Sequence, residues 1–332
     1  MEAQYAAFKL RGVPVNVNYR YLDQELWYLL DNSDAEALVF HSSLGDRVAH
    51  VIDRLPDLRL LIEVDDGDAG RVDGAVAYEA VVAGHDPLPR TTRAEDDVYM
   101  LYTGGTTGMP KGVMYAIGGL TAGLAGAAFP VLGLAPPTTA AELVDNVERV
   151  AADGTGAVSV PCAPLMHGTG LWLGCFVPHL VGGHVDTLTP RSLDAHEVLD
   201  PAERHRATSL TIVGDSFARP LVAALDVGRG EGRPYDLSGL QLISSSGVMW
   251  TAEVKQQLLE RIDGVMLIDA MGSTEGSMGT QITMKGLETE TGKFTQSPTT
   301  KVFTDDDRLV EPGSDEVGMV AAGGNVPLGY YK

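Results

Sequence analysis

The sequence is poor in basic residues. Its 332 residues include 24 Lys and Arg against 45 Asp and Glu, a formal net charge of −21. Proteins that bind nucleic acid through a general basic surface need clustered Lys and Arg, so this composition excludes nucleic acid as that kind of partner. The same deficit argues against docking on anionic membranes.

Cysteine is scarce too. Cys162 and Cys175 are the two in the sequence, too few for a disulfide framework. Two thiols in a chain of this length are typical of a reducing compartment, so we expect a cytoplasmic protein. Both lie in apolar sequence, which predicts buried and unreactive thiols.

Long apolar runs and a leader sequence are also missing. The first residues show no basic stretch followed by an apolar one, so no secretory signal is predicted. One stretch, 116–137, has no charge, but it is rich in Gly and Ala and contains Pro130, Pro136 and Pro137. A spanning helix normally carries more large apolar residues, so we predict no transmembrane segment.

Strand-like and helix-like segments alternate along the chain. The first half predicts a βαβ unit, with strands at 37–40 and 58–63 around a helix at 45–54. The second half predicts βαβαβ, with strands at 208–213, 240–243 and 265–269 and helices at 219–226 and 251–262. Right-handed crossovers would bring the loops after these strands to one edge of a parallel sheet, where ligands bind.

These segments predict an α/β fold. We expect parallel sheets with flanking helices in two related subdomains, at 1–155 and 156–284, and part of a small β-barrel at 285–332. The first residues resemble the middle of a helix, and the last resemble a strand entering a turn. We therefore expect a segment of a longer enzyme.

One loop contains the clearest chemistry. Tyr102–Gly112 reads Tyr-Thr-Gly-Gly-Thr-Thr-Gly-Met-Pro-Lys-Gly and follows a predicted strand. Glycines let backbone N–H groups approach an anion, hydroxyls add donors and lysine adds charge, which suits a nucleotide triphosphate. It is not a Walker A loop, because Pro110 precedes the lysine and Gly112 follows it. The predicted phosphate-binding residues are Thr103, Gly104, Gly105, Thr106, Thr107, Gly108 and Lys111.

This loop resembles the phosphate-binding signature of the adenylate-forming (AMP-binding) enzymes, which include acyl-CoA synthetases, luciferases and peptide-synthetase adenylation domains. It departs at Gly104, where Ser is usual. Segments 164–170, 245–249 and 269–275 are similar to further motifs of the family, in the same order. Within the family, the chain resembles the large N-terminal domain of actinobacterial acyl-CoA synthetases that act on fatty or steroid side-chain acids.

The resemblance implies a ligase that uses ATP, Mg²⁺ and, as a co-substrate, CoA. It places His167 beside the acyl carboxylate, Thr274 on the α-phosphate and Glu275 on Mg²⁺. It assigns adenine binding to Ser245, Ser246, Gly247, Val248, Asp269, Met271 and Gly272. Met271 stands where the family usually has an aromatic residue that stacks on adenine.

Two functions remain open at this point. The first is ATP-dependent activation of a carboxylic acid to acyl-adenylate and then acyl-CoA, with this chain as the nucleotide- and acyl-binding core. The second is a catalytically impaired nucleotide- or acyl-binding remnant of a truncated or split ligase gene, because the family's Tyr-Arg-Thr-Gly-Asp motif and C-terminal domain do not occur in this sequence. The partners in either case are small molecules, and self-association is left open.

The resemblance implies an acyl pocket near 167–176 and the glycine-containing run after Ser245. Gly168, Gly170 and Gly174 follow His167 within a short stretch. Small side chains there predict space for a long or bulky acid rather than for acetate.

Overall fold

The structure is a computed structural model that describes residues 1–67, 72–104, 108–189 and 192–332. The α-helices are α1 (Glu2–Lys9), α2 (Asp23–Asn32), α3 (Gly45–Val51), α4 (Tyr78–Ala83), α5 (Ile117–Val131), α6 (Ala140–Ala152), α7 (Val177–Leu180), α8 (Ala195–Arg204), α9 (Gly214–Gly230) and α10 (Ala252–Leu259). Short 3₁₀ turns at Ser42–Leu44 and Ile52–Arg54 and a π-helix at Thr169–Phe176 complete the helical elements in these ranges.

The strands, again within the described ranges, are β1 (Ala37–His41), β2 (Leu60–Val64), β3 (Val76–Ala77), β4 (Val98–Thr103), β5 (Lys111–Ala116), β6 (Val158–Pro161), β7 (His184–Val185), β8 (Ser209–Ile212), β9 (Leu242–Ser246), β10 (Met266–Ser273), β11 (Gly276–Thr283), β12 (Thr295–Gln296), β13 (Thr300–Phe303), β14 (Met319–Ala322) and β15 (Gly329–Tyr331). The chain divides into two compact units. Unit 1 comprises Met1–Gly118 and Pro327–Lys332, and unit 2 comprises Gly119–Val326.

Unit 1 contains two small sheets. In the first, β1, β2 and β3 are parallel, which confirms the predicted βαβ unit around α3. In the second, β15, β5 and β4 are antiparallel. The apolar residues of α2 recur at helical spacing, so Leu26, Leu29 and Leu30 are buried on one face.

Unit 2 is organised around a seven-stranded sheet in the order β12-β11-β10-β9-β8-β6-β7. The neighbours from β10 to β7 are all parallel, whereas β11 and β12 add antiparallel strands at one edge. The predicted βαβαβ order is confirmed, with α9 and α10 as the crossovers. Val254 and Leu258 of α10, four residues apart, are fully buried, as their spacing predicts.

The division between units falls after Gly118, and β15 pairs with β5, so the last residues join unit 1 rather than a separate C-terminal body. The predicted boundaries at 155 and 284 remain predictions about domains. From 285 onward the chain forms the short strands β12 to β15 in small antiparallel pairings, as expected for part of a small β-barrel.

The uncharged stretch forms α5, of 15 residues. Within the ranges that the structure describes, no helix combines the length and the apolar character that a membrane crossing requires.

Candidate functional site

The predicted phosphate loop connects the two antiparallel strands of a hairpin in unit 1. Thr103 ends β4, Lys111 begins β5, and these two residues are cross-strand partners. The hairpin therefore places four of the predicted residues at its loop end: Thr103, Gly104, Gly108 and Lys111. The predicted residues Gly105, Thr106 and Thr107 lie outside the described residues.

The glycines of this loop differ in what surrounds them. A Cβ atom on Gly112 would lie 2.5 Å from Met100 Sδ and 2.9 Å from Tyr102 Cε2, so packing within the sheet requires glycine there. At Gly104 and Gly108 a Cβ atom would meet no atom of the described residues within 4 Å, and neither residue has the positive φ that favours glycine. Within the described residues, neither packing nor backbone conformation requires glycine at these two positions.

Tyr102, at the start of the loop, is held by residues that the motif does not contain. Asn16 Oδ1 accepts a hydrogen bond from the Tyr102 N–H at 2.9 Å, and Asn16 Nδ2 donates to the Tyr102 carbonyl at 3.3 Å. The Tyr102 hydroxyl donates to Asn32 Oδ1 at 2.7 Å. Burial raises the pKa of Tyr102, so it stays a neutral donor. Nothing in the loop sequence pointed to Asn16 or Asn32.

Lys111 is the cation of the loop. Its side chain is exposed, and Nζ lies 5.1 Å from the centroid of the Tyr330 ring, within cation–π range. An exposed ammonium group at the loop end of a hairpin is accessible to phosphate oxygens.

In unit 2, the turn after β9 contains the first group of predicted adenine-binding residues. Ser245 is fully buried, and its Oγ accepts a hydrogen bond from the Gly214 N–H at 2.9 Å. Gly247 has φ = +97°, a left-handed conformation that favours glycine. Val248 follows with an exposed apolar side chain. Ser245 thus has a structural role in joining the ends of β8 and β9, and Ser246, Gly247 and Val248 form the accessible part of the turn.

Asp215 fixes the same turn, and the sequence analysis did not assign it to the site. Asp215 Oδ1 accepts from the Thr251 N–H at 2.9 Å, and Oδ2 accepts from the Thr251 hydroxyl at 2.9 Å. The Asp215 N–H donates to the Met249 carbonyl at 3.1 Å. Its position directly after β8, at the carboxyl edge of a parallel sheet, was the available signal.

The second group of predicted residues lies on β10 and β11, which form a tight hairpin. Ser273 and Gly276 are the last cross-strand partners, so Thr274 and Glu275 make the two-residue turn. The predicted strand at 265–269 is too short, because β10 continues to Ser273 and pairs with β11. Thr274 and Glu275 are both partly exposed at the tip.

Along the first part of β10, buried and partly exposed residues alternate, with Leu267 and Asp269 buried and Ile268 and Ala270 partly exposed. Asp269 is buried, and Lys255 Nζ on α10 lies 2.8 Å from its Oδ2. Burial raises the pKa of Asp269, and the hydrogen bond from Lys255 opposes that rise. Met271 has an exposed side chain, and the backbone is irregular between Met271 and Gly272. The exposed thioether is suited to packing against an aromatic ring face, whereas Asp269 faces the interior.

Parallel pairing brings these two groups together. Ser245 is the partner of Asp269, and Ser246 is the partner of Ala270. The predicted convergence of the β9 and β10 motifs at one sheet edge is therefore confirmed.

His167 lies on the segment between β6 and the π-helix, and its side chain is exposed. Since β6 belongs to the same parallel array, this segment follows the same edge of the sheet. Its N–H donates to the Pro164 carbonyl at 3.1 Å, and its carbonyl accepts from Leu171 N–H at 3.0 Å. Such π-helices occur frequently at functional sites.

The expectation that small residues after His167 leave space was wrong for two of them. A Cβ atom on Gly170 would lie 2.4 Å from the Ala163 carbonyl oxygen, and one on Gly174 would lie 2.6 Å from Pro161 Cβ. These glycines let the π-helix pack directly against the end of β6 and the residues that follow it. Their absent side chains therefore do not open an acyl pocket.

The resemblance assigns Mg²⁺ binding to Glu275, whose carboxylate is an oxygen ligand of the kind that this ion prefers. Glu275 and Thr274 form the two-residue turn between β10 and β11, and hydroxyl oxygens are also donors of this kind. No group of three His, Cys, Asp or Glu side chains in the described ranges could hold a metal ion.

Comparison with known proteins identifies the family. A family model described as AMP-binding enzyme matches residues 1–331. The chain belongs to this family. The resemblance inferred from the phosphate loop is thus confirmed over the whole chain.

Curated relatives in the family are acyl-CoA ligases. The 3-oxocholest-4-en-26-oate–CoA ligase of Rhodococcus rhodochrous is 37% identical over 343 residues, which cover 100% of this chain and 60% of that protein. The medium-chain acyl-CoA ligase Mig of Mycobacterium avium is 36% identical over 336 residues, covering 99% of this chain and 59% of that protein. The chain thus spans about 60% of the length of these relatives.

Solved structures of other proteins share the fold. The anthranilate CoA ligase AuaEII in complex with anthranoyl-AMP matches with a TM-score of 0.77 at 21% identity, over 97% of this chain and 57% of that chain. ATP-bound MatB from Rhodopseudomonas palustris matches with a TM-score of 0.71 at 20% identity, over 98% of this chain and 58% of that chain. The predicted α/β fold is confirmed.

Proposed function

We propose that this chain is the nucleotide- and acyl-binding core of an ATP-dependent acyl-CoA ligase that activates a fatty or steroid-type carboxylic acid. The observation that carries this proposal is the identity of 36–37% over the whole chain to ligases whose names specify medium-chain acyl and 3-oxocholestenoate substrates. The chemistry of the loop supports nucleotide binding independently, because Gly104 and Gly108 carry no side chain that would keep an anion from the backbone, and the Lys111 side chain is exposed beside them in the sequence.

The proposed reaction has two steps. In the first, a carboxylate oxygen of the acid attacks the α-phosphorus of ATP, the bond to the β-phosphate oxygen breaks, and pyrophosphate leaves. In the second, the thiol of CoA displaces AMP from the acyl-adenylate. Negative charge develops on the phosphate oxygens in the first step, so donors and cations aimed at those oxygens are the main source of acceleration.

The residues divide this work according to their chemistry. Backbone N–H groups of the loop 103–108, together with Lys111, would hold the β- and γ-phosphates. Thr274 would donate its hydroxyl proton to an α-phosphate oxygen. Glu275 would bind Mg²⁺, which neutralises phosphate charge when bound. His167 would orient the acyl carboxylate.

Adenine would lie against the carboxyl edge of the unit 2 sheet. Ser246, Gly247 and Val248 present a turn with an exposed backbone, and Met271 presents an exposed apolar side chain on the neighbouring strand. Ser245 and Asp269 are buried, so we assign them to shaping this edge rather than to touching the base.

A second candidate is nucleotide or acyl binding without completed ligation. It is retained because the chain spans about 60% of the length of its curated relatives. The two candidates differ in whether pyrophosphate and thioester are formed.

The test mixes the purified chain with ATP, Mg²⁺, CoA and one acid at a time: acetate, palmitate or 3-oxocholest-4-en-26-oate. Pyrophosphate and thioester are followed separately. The ligase proposal predicts pyrophosphate release with palmitate or the steroid acid, faster than with acetate. ATP binding without either product would support the second candidate, and a preference for acetate would contradict the proposed acid class.

A further inference from the structure

We propose that Lys255 is a positioning residue of the nucleotide site: its buried ammonium group fixes the β10–β11 hairpin that presents Thr274 and Glu275. This inference rests on the proposed function, since it concerns how the same nucleotide site is held. The sequence motifs of the family did not draw attention to Lys255.

The Lys255 side chain bridges the two strands of the hairpin. It is fully buried on α10, with Nζ 2.8 Å from Asp269 Oδ2 and 2.5 Å from Gln281 Oε1. Asp269 on β10 and Gln281 on β11 are direct cross-strand partners. One ammonium group thus binds both strands at the same level.

The hairpin needs such an anchor because its pairing is irregular nearer the tip. The register shifts between Met271 and Gly272, after which Gly272 pairs with Ser277. An extra residue in one strand disrupts the ladder locally and bends the strand. A slip of one residue would turn every following side chain to the opposite face, which would misdirect Thr274 and Glu275.

Lys255 also contacts Trp250, which lies two residues after Val248 of the β9 turn. Its Nζ lies 5.2 Å from the centroid of the Trp250 ring, within cation–π range. Trp250 is buried directly after the turn that contains Gly247 and Val248. The ammonium group therefore touches the supports of both the β9 turn and the β10–β11 hairpin.

The energetics favour a specific role over simple stabilisation. A buried ion pair loses much of its attraction to desolvation, and apolar residues of similar volume often stabilise a core equally well. What the charged pair adds is directional hydrogen bonding, which an apolar side chain in the same space does not provide. Fixed register at a functional hairpin is a property that depends on such bonds.

The test compares three variants: Lys255→Met, Gln281→Met and, as a matched control, Lys285→Met. Lys285 lies two residues beyond β11, is exposed, and pairs with exposed Asp263 at 3.0 Å. Gln281→Met removes the link to β11 and leaves the Lys255–Asp269 pair. Amide hydrogen exchange is measured at 272–277 and, for comparison, in β8 and β9, and AMP affinity is measured by titration.

We expect Lys255→Met and Gln281→Met to raise exchange at 272–277 by about tenfold or more and to weaken AMP binding by about the same factor. Protection in β8 and β9 should stay within about twofold in Gln281→Met, and Lys285→Met should change neither quantity beyond that margin. If Lys255→Met unfolds, Gln281→Met decides the question.

Three results would overturn the inference: unchanged exchange at 272–277, an equal rise throughout the sheet, or a loosened hairpin with unchanged AMP affinity. The exchange measurement needs no nucleotide. If the wild-type chain fails to bind AMP, that result counts against the proposed function, while the exchange data still decide whether Lys255 fixes the hairpin.

Discussion

The same substitution, Gly→Ala, should have opposite effects at two positions of the phosphate hairpin. At Gly112 the new methyl group would lie 2.5 Å from Met100 Sδ and 2.9 Å from Tyr102 Cε2, inside the buried sheet. Overpacking of this kind costs about 1–3 kcal/mol of unfolding free energy. At Gly108 the methyl group meets no atom of the described residues within 4 Å, and the backbone conformation is one that alanine adopts readily. There the substitution should be neutral or stabilising by about 0.4–1 kcal/mol.

Gly108→Ala should weaken ATP binding even though it leaves the folding stability unchanged or raised. A methyl group on Gly108, at the loop end of the hairpin, would keep phosphate oxygens from the backbone N–H groups. Losing one charge-assisted hydrogen bond costs about 1.5–3 kcal/mol, which weakens ATP binding roughly tenfold to a hundredfold. Because AMP lacks the outer phosphates, its affinity should change little.

Urea unfolding and calorimetric titration with ATP and AMP measure these quantities on the same preparations. Gly104→Ala provides a second open position, where we expect the same behaviour as at Gly108. The reasoning is refuted if Gly108→Ala loses as much stability as Gly112→Ala, or if it retains wild-type affinity for ATP.

Three further predictions concern the loop cation, the π-helix and the thiols. Lys111→Ala should weaken ATP binding by about tenfold or more and leave AMP binding nearly unchanged, whereas Lys9→Ala, at another exposed lysine of unit 1, should alter neither; equal losses for both nucleotides would contradict this role. Gly170→Ala should lower the unfolding free energy by about 1–3 kcal/mol, because its Cβ would lie 2.4 Å from the Ala163 carbonyl oxygen; unchanged urea unfolding would contradict the packing argument. Burial raises the pKa of Cys162 and Cys175 to about 12, so both thiols stay protonated well above neutral pH. Alkylation by iodoacetamide at pH 8 should therefore be far slower in the folded chain than in urea, and equal rates would contradict it.

Much of the fold followed from hydrophobic spacing and from turn residues. The βαβαβ order of unit 2 was predictable because each strand is short, apolar and followed by polar or glycine-rich sequence. The extent of β10 was not, because Met271–Ser273 carries a motif that suggested a loop. Its strand conformation depends on pairing with β11, a tertiary contact that local sequence does not contain.

The site divides in a similar way. Residues inside contiguous motifs, such as Gly108, Lys111 and Glu275, could be named from the sequence, since their types express the chemistry directly. The residues that hold those motifs could not. Asn16 contacts Tyr102 from 86 positions away. Lys255, on helix α10, contacts Asp269 and Gln281 on the strands β10 and β11. Such partners are set by packing between elements, and a single sequence carries no local pattern for them.

The proposed function requires the hairpin loop of unit 1 to bind the outer phosphates of ATP. Hydrogen exchange of the wild-type chain, with ATP or AMP in the presence of Mg²⁺, tests it most directly. We predict that ATP slows exchange in the peptides that cover 102–112 and that AMP does not. Failure of ATP to protect this segment, or equal protection by the two nucleotides, would contradict the account.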